Sequence, residues 1–407
     1  MMDYLDLPIR ADLAGLEPYG APQLDLPVRL NVNEFPYAPP PSVVSSILKA
    51  VAEAASDLNR YPDRDFDVLR EALAGYLNAE SQLTGTAVLK PENLWAGNGS
   101  NEVMLHLFQA FGGPGRSALT FGPTYSMYPE YARDTFTEWH AIERNQDFSI
   151  DLNLAEKTIK EAKPALIILC SPNNPSGTAL TLPEIENILQ VADSVIVPGT
   201  EAAKPVAIVD EAYGEFRRAG TPSALELLPK YPNLAVSRTM SKAFGAAGLR
   251  LGYLAASPKL IDCLRLVRLP YHLSAITQAS ALAALGHAEE MQAQVAEIRD
   301  RRDALEHWLS EQEGQSLTKG DCHSACSETE SQNLDLRLKT TPSDANFVMF
   351  GKFADRHQVW QELTDQGILI REVGPPGWLR VTVGSEAETE AFKSALTQIL
   401  THTELLP

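Results

Sequence analysis

The sequence predicts an α/β protein: a mainly parallel sheet flanked by helices, with a smaller α+β unit beside it. Three observations point there. Residues 165–170 and 206–210 are short, nearly continuous apolar runs, the pattern of strands covered on both faces. Stretches of helical spacing separate these runs from one another and from the further runs at 234–237 and 249–255, as a parallel sheet with crossover helices requires. At 407 residues, with 44% hydrophobic and 21% charged residues, the chain is long and apolar enough for two or three domains with a sizeable core.

The elements follow in order. Residues 1 to about 40 contain Pro18, Pro22, Pro27, Pro36, Pro39 and Pro40, and read as an extended arm. Helices are expected over 42–58 and 65–77. Strand and helix patterns alternate from 94 to about 255. A long helical stretch over 279–309 then leads away from the sheet. Residues 311–344 are polar and turn-rich and read as a mobile insertion, and 198–205 as a shorter one. The tail reads strand 346–350, helix 355–366, strands 368–371 and 379–383, and helix 386–400. The expected division is an arm with its first helix at 1–60, a large unit at 61–290, and a small C-terminal unit at 291–407.

Charge narrows the function. Asp and Glu number 53 against 34 Lys and Arg, for a net charge of −19. Nucleic acid and anionic membrane both require a basic face, so neither is expected as a partner. A small molecule is expected instead, and an anionic one would need local arginines. No basic-then-apolar leader and no run of about 18 apolar residues is seen, so neither a signal peptide nor a membrane span is expected. Four cysteines, three of them far apart, suit a reducing cytoplasm better than a disulfide scaffold.

Five motifs stand at the expected strand ends, where ligands collect in such sheets. Lys242 lies in Thr239-Met240-Ser241-Lys242-Ala243-Phe244-Gly245, with Arg250 shortly after. A lone lysine on such a loop is ordinarily just exposed. Hydroxyls and an arginine beside it make an anion cradle, and suit a covalently held phosphorylated aldehyde. Asp210, in Asp210-Glu211-Ala212-Tyr213, either caps a following helix or faces a protonated pyridine nitrogen. At 3–4 Å such a pairing supplies about 4 kcal/mol at an effective dielectric near 20. Tyr213 falls one helical turn later and can share the cleft. In Cys170-Ser171-Pro172-Asn173-Asn174-Pro175-Ser176-Gly177, a turn in any reading, an asparagine before proline is a stiff donor to a phenolic oxygen. Gly97-Asn98-Gly99-Ser100-Asn101-Glu102 opens a helix, whose N-terminus seats a phosphate. Tyr125, after Gly122-Pro123-Thr124, is either core or a ring that stacks on a flat ligand.

Taken together, in this chain order, the motifs resemble the aspartate aminotransferase superfamily, fold type I, dependent on pyridoxal 5′-phosphate. Residues 16–22, 30–34 and 379–384 extend the likeness over nearly the whole chain, apart from the two insertions. The resemblance implies that Lys242 carries the cofactor as an imine and later serves as general base. It implies that Asp210 holds the ring nitrogen, Asn174 and Tyr213 the ring oxygen, and Ser100, Asn101, Ser241 and Arg250 the phosphate, with Thr239 and Glu102 nearby. Tyr125 would stack on the ring. Tyr61, in Asn59-Arg60-Tyr61-Pro62, would reach the phosphate of a neighbouring subunit, which implies a homodimer. Arg380, assisted by Arg371, would bind the substrate anion, with Asn33 and Tyr19 as further substrate contacts. Within the superfamily the likeness is greatest to the branch that transaminates histidinol phosphate with 2-oxoglutarate in histidine biosynthesis. An aromatic aminotransferase or a phospho-amino-acid decarboxylase shares most of these motifs. A cofactor-binding regulator would need a DNA-binding part that the acidic chain does not show. Relatives often carry aspartate where this chain has Asn101. Cys322, His323 and Cys326 are too few for a zinc site, and no metal is expected.

Overall fold

The computed structural model describes residues 7–18, 20–314 and 337–406. The chain opens with the arm, which contains one short strand, β1 (Val28–Arg29), and leads into α1 (Pro41–Ala55) and α2 (Asp67–Glu80). Proline at the first helical position of α1 sits where no N–H partner is needed. There follow β2 (Leu94–Asn98), α3 (Ser100–Phe111), β3 (Ser117–Gly122), α4 (Tyr128–Asp134), β4 (Glu138–Glu143), α5 (Leu152–Ala162), β5 (Leu166–Cys170), α6 (Leu182–Asp193) and β6 (Val206–Asp210). Then come β7 (Leu234–Thr239), β8 (Leu251–Ala256), α7 (Pro258–Val267), α8 (Ala275–Leu285) and α9 (Ala288–Ser310). The last elements are β9 (Lys339–Thr340), β10 (Phe347–Gly351), α10 (Arg356–Asp365), β11 (Ile368–Leu369), β12 (Leu379–Thr382) and α11 (Glu386–Leu400).

Seven strands form the central sheet in the order β2-β8-β7-β6-β5-β3-β4. All pairs are parallel except those of β8, which runs antiparallel to both β2 and β7. The inner strands β5 and β6 are buried at every residue, which is why they read as unbroken apolar runs. A second sheet, β12-β10-β9, is antiparallel, and β1 of the arm pairs with β11. The arm is thus tied to residues more than three hundred positions away.

The topology brings the motifs to one edge. The carboxyl ends of β2, β3, β5, β6 and β7 lie together there. Because β8 is reversed, its amino end, preceded by Arg250, lies at the same edge. The expected single helix over 279–309 is two helices. Gly286 ends α8 and His287, with φ −115°, leaves helical geometry before α9. No proline marks the break, so the periodicity runs through it unseen. Most of the expected insertion at 311–344 lies outside the described residues.

Behind the site edge lies a buried ion cluster. Arg238 of β7, fully buried, meets Glu211 at 2.7 Å, Glu215 at 3.0 Å and Glu80 at 3.4 Å. Arg217 meets Glu211 at 3.1 Å and Glu80 at 3.5 Å. Glu211 also accepts from the Ser223 hydroxyl and the Ala224 N–H. The three neighbouring carboxylates hold the Arg238 guanidinium well above its usual pKa against the effect of burial. From α9, Arg299 and Arg302 donate to the carbonyls of Glu215 and Phe216. The stretch after β6 is therefore fixed from both sides.

Two substitutions test this packing. Gly252 pairs with Gly97, and a Cβ at Gly252 would lie 2.2 Å from the backbone nitrogen of Ser100. Gly252→Ala should cost about 1–3 kcal/mol through a forced shift of the first turn of α3, measured by urea unfolding. Arg238→Met takes the cation from Glu215 and leaves Glu80 and Glu211 with Arg217 alone, and should cost about 3–5 kcal/mol in the same assay. A loss under about 1 kcal/mol would show that the cluster is not fixed by its central cation.

Candidate active site

At the convergent strand ends lies a cavity of about 320 Å³. Its walls include Lys242, Asp210, Tyr213, Asn174, Tyr125, Ser100, Asn101, Thr239, Ser241, Arg250, Asn33, Arg371 and Arg380. Nearly all the residues singled out from sequence are thus brought together by strands and helices far apart in the chain.

Lys242 stands on the turn after β7. Its amine donates to the carbonyls of Val32 and Asn33, both at 3.0 Å. It opens onto the cavity but is enclosed by protein on its other sides. That burial, with Arg380 and Arg250 nearby and Glu34 opposing them, lowers its pKa to about 8. The neutral amine, the form a nucleophile or base requires, is therefore far more populated near physiological pH than in an ordinary lysine.

Asp210 ends β6 and is buried. Its Oδ2 accepts from the Tyr128 hydroxyl at 2.7 Å. Its Oδ1 accepts from the Ser237 hydroxyl at 2.9 Å and the Ala212 N–H at 3.2 Å. Burial raises its pKa, while the two hydroxyls pull it down. Tyr213 is not on a helix as expected. It lies in a tight turn in which Gly214 N–H bonds the Glu211 carbonyl, ahead of a short 3₁₀ turn at Gly214–Phe216. A three-residue turn gives nearly the same displacement as a helical one, so the side chain still reaches the cavity. Its hydroxyl accepts from Asn33 Nδ2 at 2.8 Å and Asn174 Nδ2 at 3.5 Å. Burial pushes that hydroxyl up to about 12, so it stays protonated.

Asn174 also accepts from Arg380 through Oδ1. Arg380 donates to the Asn31 carbonyl at 2.8 Å, and its guanidinium lies 4.9 Å from the Phe347 ring centroid. Backbone hydrogen bonds in both directions join Arg371 to Arg380, so two guanidinium groups rise from one bridge. Asn33 adopts φ +57°, a conformation asparagine tolerates better than most residues. Its side chain bridges Tyr213 and Thr382, and its carbonyl takes hydrogen bonds from Lys242 and Asn346.

The other end of the cavity suits an anion. The first turn of α3 presents unpaired N–H groups, with Ser100, Asn101, Thr239, Ser241 and Arg250 around it. Gly99, at φ +81°, leaves room for Arg250, since a Cβ there would lie 2.6 Å from its Nη2. The Tyr125 hydroxyl lies 3.4 Å from Asn101 Oδ1.

One expectation differs. Glu102 does not line the cavity. Its carboxylate accepts from the N–H of Asn98 at 2.5 Å and from Asn98 Nδ2 at 2.9 Å, closing the turn into α3. A carboxylate facing a bound anion would repel it. Tyr61, expected at the phosphate of a neighbouring subunit, stands apart from this chain's own cavity. It is 79% exposed and stacks on Tyr271 at 4.5 Å. Tyr19, and the Cys322, His323 and Cys326 group, lie outside the described residues. Among the described residues no cluster of three or more potential metal ligands occurs, and no helix is long and apolar enough to cross a membrane. Sequence reasoning missed Tyr128, Ser237, Asn31 and Glu34. The only signal for Tyr128 was its place three residues after Tyr125.

The whole arrangement suits a flat, phosphorylated ring with a carbonyl carbon near Lys242 and a basic nitrogen near Asp210. The chain resembles known proteins along almost all its length. A histidinol-phosphate aminotransferase of Bifidobacterium longum (strain NCC 2705) is 52% identical over 397 residues, covering 97% of each chain. One of Thermobifida fusca (strain YX) is 52% identical over 391 residues, covering 96% of this chain and 95% of that one. Among solved structures, the histidinol-phosphate aminotransferase of Sinorhizobium meliloti in complex with pyridoxal-5′-phosphate has a TM-score of 0.71. It is 22% identical and covers 92% of this chain and 91% of its own. The model of aminotransferase class I and II matches residues 27–396, and the chain belongs to that family.

Proposed function

We propose that the protein is a pyridoxal-phosphate-dependent aminotransferase that moves the amino group of histidinol phosphate to 2-oxoglutarate, giving imidazole-acetol phosphate and glutamate. The observation that carries this reading is one amine, Lys242, held near neutrality in a cavity that also contains Asp210, an anion cradle and two arginines. Identity above 50% to histidinol-phosphate aminotransferases over nearly the full length supports the substrate.

In this reading Lys242 carries the cofactor, Asp210 faces its ring nitrogen, and Asn174 and Tyr213 face its ring oxygen. Ser100, Asn101, Thr239, Ser241, Arg250 and the start of α3 hold its phosphate, and Tyr125 covers a ring face. When bound, the cofactor supplies an electron sink that no side chain offers. Once displaced by the incoming amine, Lys242 Nζ takes the proton from the substrate carbon and returns it to the opposite end of the reacting system. Asp210 keeps a negative charge against the ring nitrogen throughout. Arg380 and Arg371 bind the phosphate of histidinol phosphate or a carboxylate of glutamate, since a guanidinium fork suits both anions. One pocket therefore accepts two amines in turn. We read residues 61–290 as the large cofactor-binding unit and 291–407, to which the arm at 1–60 contributes, as the small unit, in a cytoplasmic enzyme.

We also read the enzyme as a homodimer. Leu58, Tyr61, Leu266 and Leu269 are 58%, 79%, 85% and 76% exposed, and the stack of Tyr61 on Tyr271 brings the segment of the first two beside the segment that follows the last two. Tyr61 would then reach the neighbouring cavity.

The holoenzyme should turn over histidinol phosphate with 2-oxoglutarate about 100-fold more efficiently, in kcat/KM, than it does phenylalanine, a gap of about 3 kcal/mol. Equal or better use of phenylalanine would make it an aromatic aminotransferase, and release of carbon dioxide would make it a decarboxylase. Lys242→Ala should lose borohydride-stable attachment of the cofactor and about 10,000-fold in kcat. Full activity in that variant would remove the proposal. Sedimentation equilibrium should give twice the 44.5 kDa chain mass; a single-chain mass would refute the dimer.

A further inference from the structure

Among the described residues, no cationic side chain pairs with the buried Asp210 carboxylate. It is held instead by neutral donors: two hydroxyls and one backbone N–H. These differ from a cation in one respect. They stabilise the negative charge without cancelling it, so the charge stays available to a cationic atom in the cavity.

We propose that Tyr128 is a positioning residue, whose hydroxyl, together with that of Ser237, fixes the Asp210 carboxylate toward the cavity and keeps it able to pair with a cationic ring nitrogen. The proposal rests on the cofactor reading given above. The geometry supports it from both sides. Tyr128 is the first residue of α4 and is fully buried. The turn before it carries Tyr125 into the cavity, and the two rings meet edge to face at 5.5 Å. One turn thus places one tyrosine on the cavity wall and another beneath it. Ser237 reaches the other carboxylate oxygen from β7, where the register sets it beside Asp210. The next residue along, Arg238, grips Glu211 on the opposite face. Each strand therefore contributes one residue to the site and one to the ion cluster behind it.

The charged and titratable groups around Asp210 are few. Tyr128 comes from α4, Cys170 from the end of β5, and Glu211 and Tyr213 from its own turn; Arg144 approaches Tyr128 and Cys170 from beyond β4. Burial and the charge of Glu211 raise the Asp210 pKa, and the Tyr128 and Ser237 hydroxyls lower it. Removing one hydroxyl shifts the balance toward the protonated, uncharged form. The loss should therefore appear on the acid side and fade as pH rises.

The test is Tyr128→Phe, read by spectroscopic titration of the apoprotein with pyridoxal phosphate from pH 5.5 to 9. The variant's dissociation constant should exceed that of the unaltered protein about tenfold at pH 6 and less than about threefold at pH 8.5. In the loaded enzyme, kcat should fall at low pH while KM for histidinol phosphate stays within about twofold. Coincident profiles for the two proteins would overturn the proposal. So would an equal weakening at every pH, which would mark the hydroxyl as a support for the fold alone. Should the phenylalanine variant fail to fold, 3-fluorotyrosine at position 128 keeps the shape and donates more strongly. The acid limb should then move to lower pH, and an unmoved limb would overturn the proposal. If the unaltered protein takes up no pyridoxal phosphate at any pH, the cofactor reading falls, and this inference with it.

Discussion

The pairing of β6 with β7 governs the rest of the molecule. Its register sets Asp210 beside Ser237. Because side chains alternate across a sheet, the same register sends Glu211 and Arg238 to the opposite face. A slip of one residue would exchange the two faces, placing an arginine where the Ser237 hydroxyl supports the Asp210 carboxylate. The ion cluster is costly to bury, and its central guanidinium reaches its three carboxylates from this register. The helix α9 adds its own arginines to the carbonyls just beyond, so the turn that carries Tyr213 has little freedom.

The distribution of charge poses a second constraint. The chain carries a net charge of −19, and its substrates in the proposed reaction are anions. The cavity reverses the sign locally with Lys242, Arg250, Arg371 and Arg380 against Glu34 and Asp210. Each cation is placed by backbone geometry: Arg250 by the room over Gly99, and the pair Arg371 and Arg380 by their mutual bridge. A field of opposite sign around a cationic pocket slows anion capture at low ionic strength and matters less as salt screens it.

Much of this was legible in the chain. The buried strands announced themselves as apolar runs, and the site residues could be found because small, turn-forming and charged residues clustered just after those runs. What stayed hidden had physical reasons. The break between α8 and α9 involves Gly286 and His287, with no proline to mark it. The strand β1 is two residues long and exists only because β11 pairs with it. Glu102 looked like a cavity residue because it opens a helix at the site, but a carboxylate there satisfies the N–H of Asn98. Tyr128 was invisible because a buried tyrosine is ordinarily core, and its hydroxyl gains meaning only when folding brings α4 over the end of β6. Glu34 and Asn31 come from the arm, whose path no local pattern sets.

The arm itself has a consequence for how the protein behaves as a material. Asn33 bonds Thr382 across a separation of 349 residues, and its carbonyl supports Lys242. The cavity is therefore closed by contacts among the most distant in the sequence, the kind that form late and slowly in folding. A ligand that needs all of those walls recognises only the completed fold, so each occupied site draws the folding equilibrium toward the native state and makes thermal resistance rise with ligand concentration.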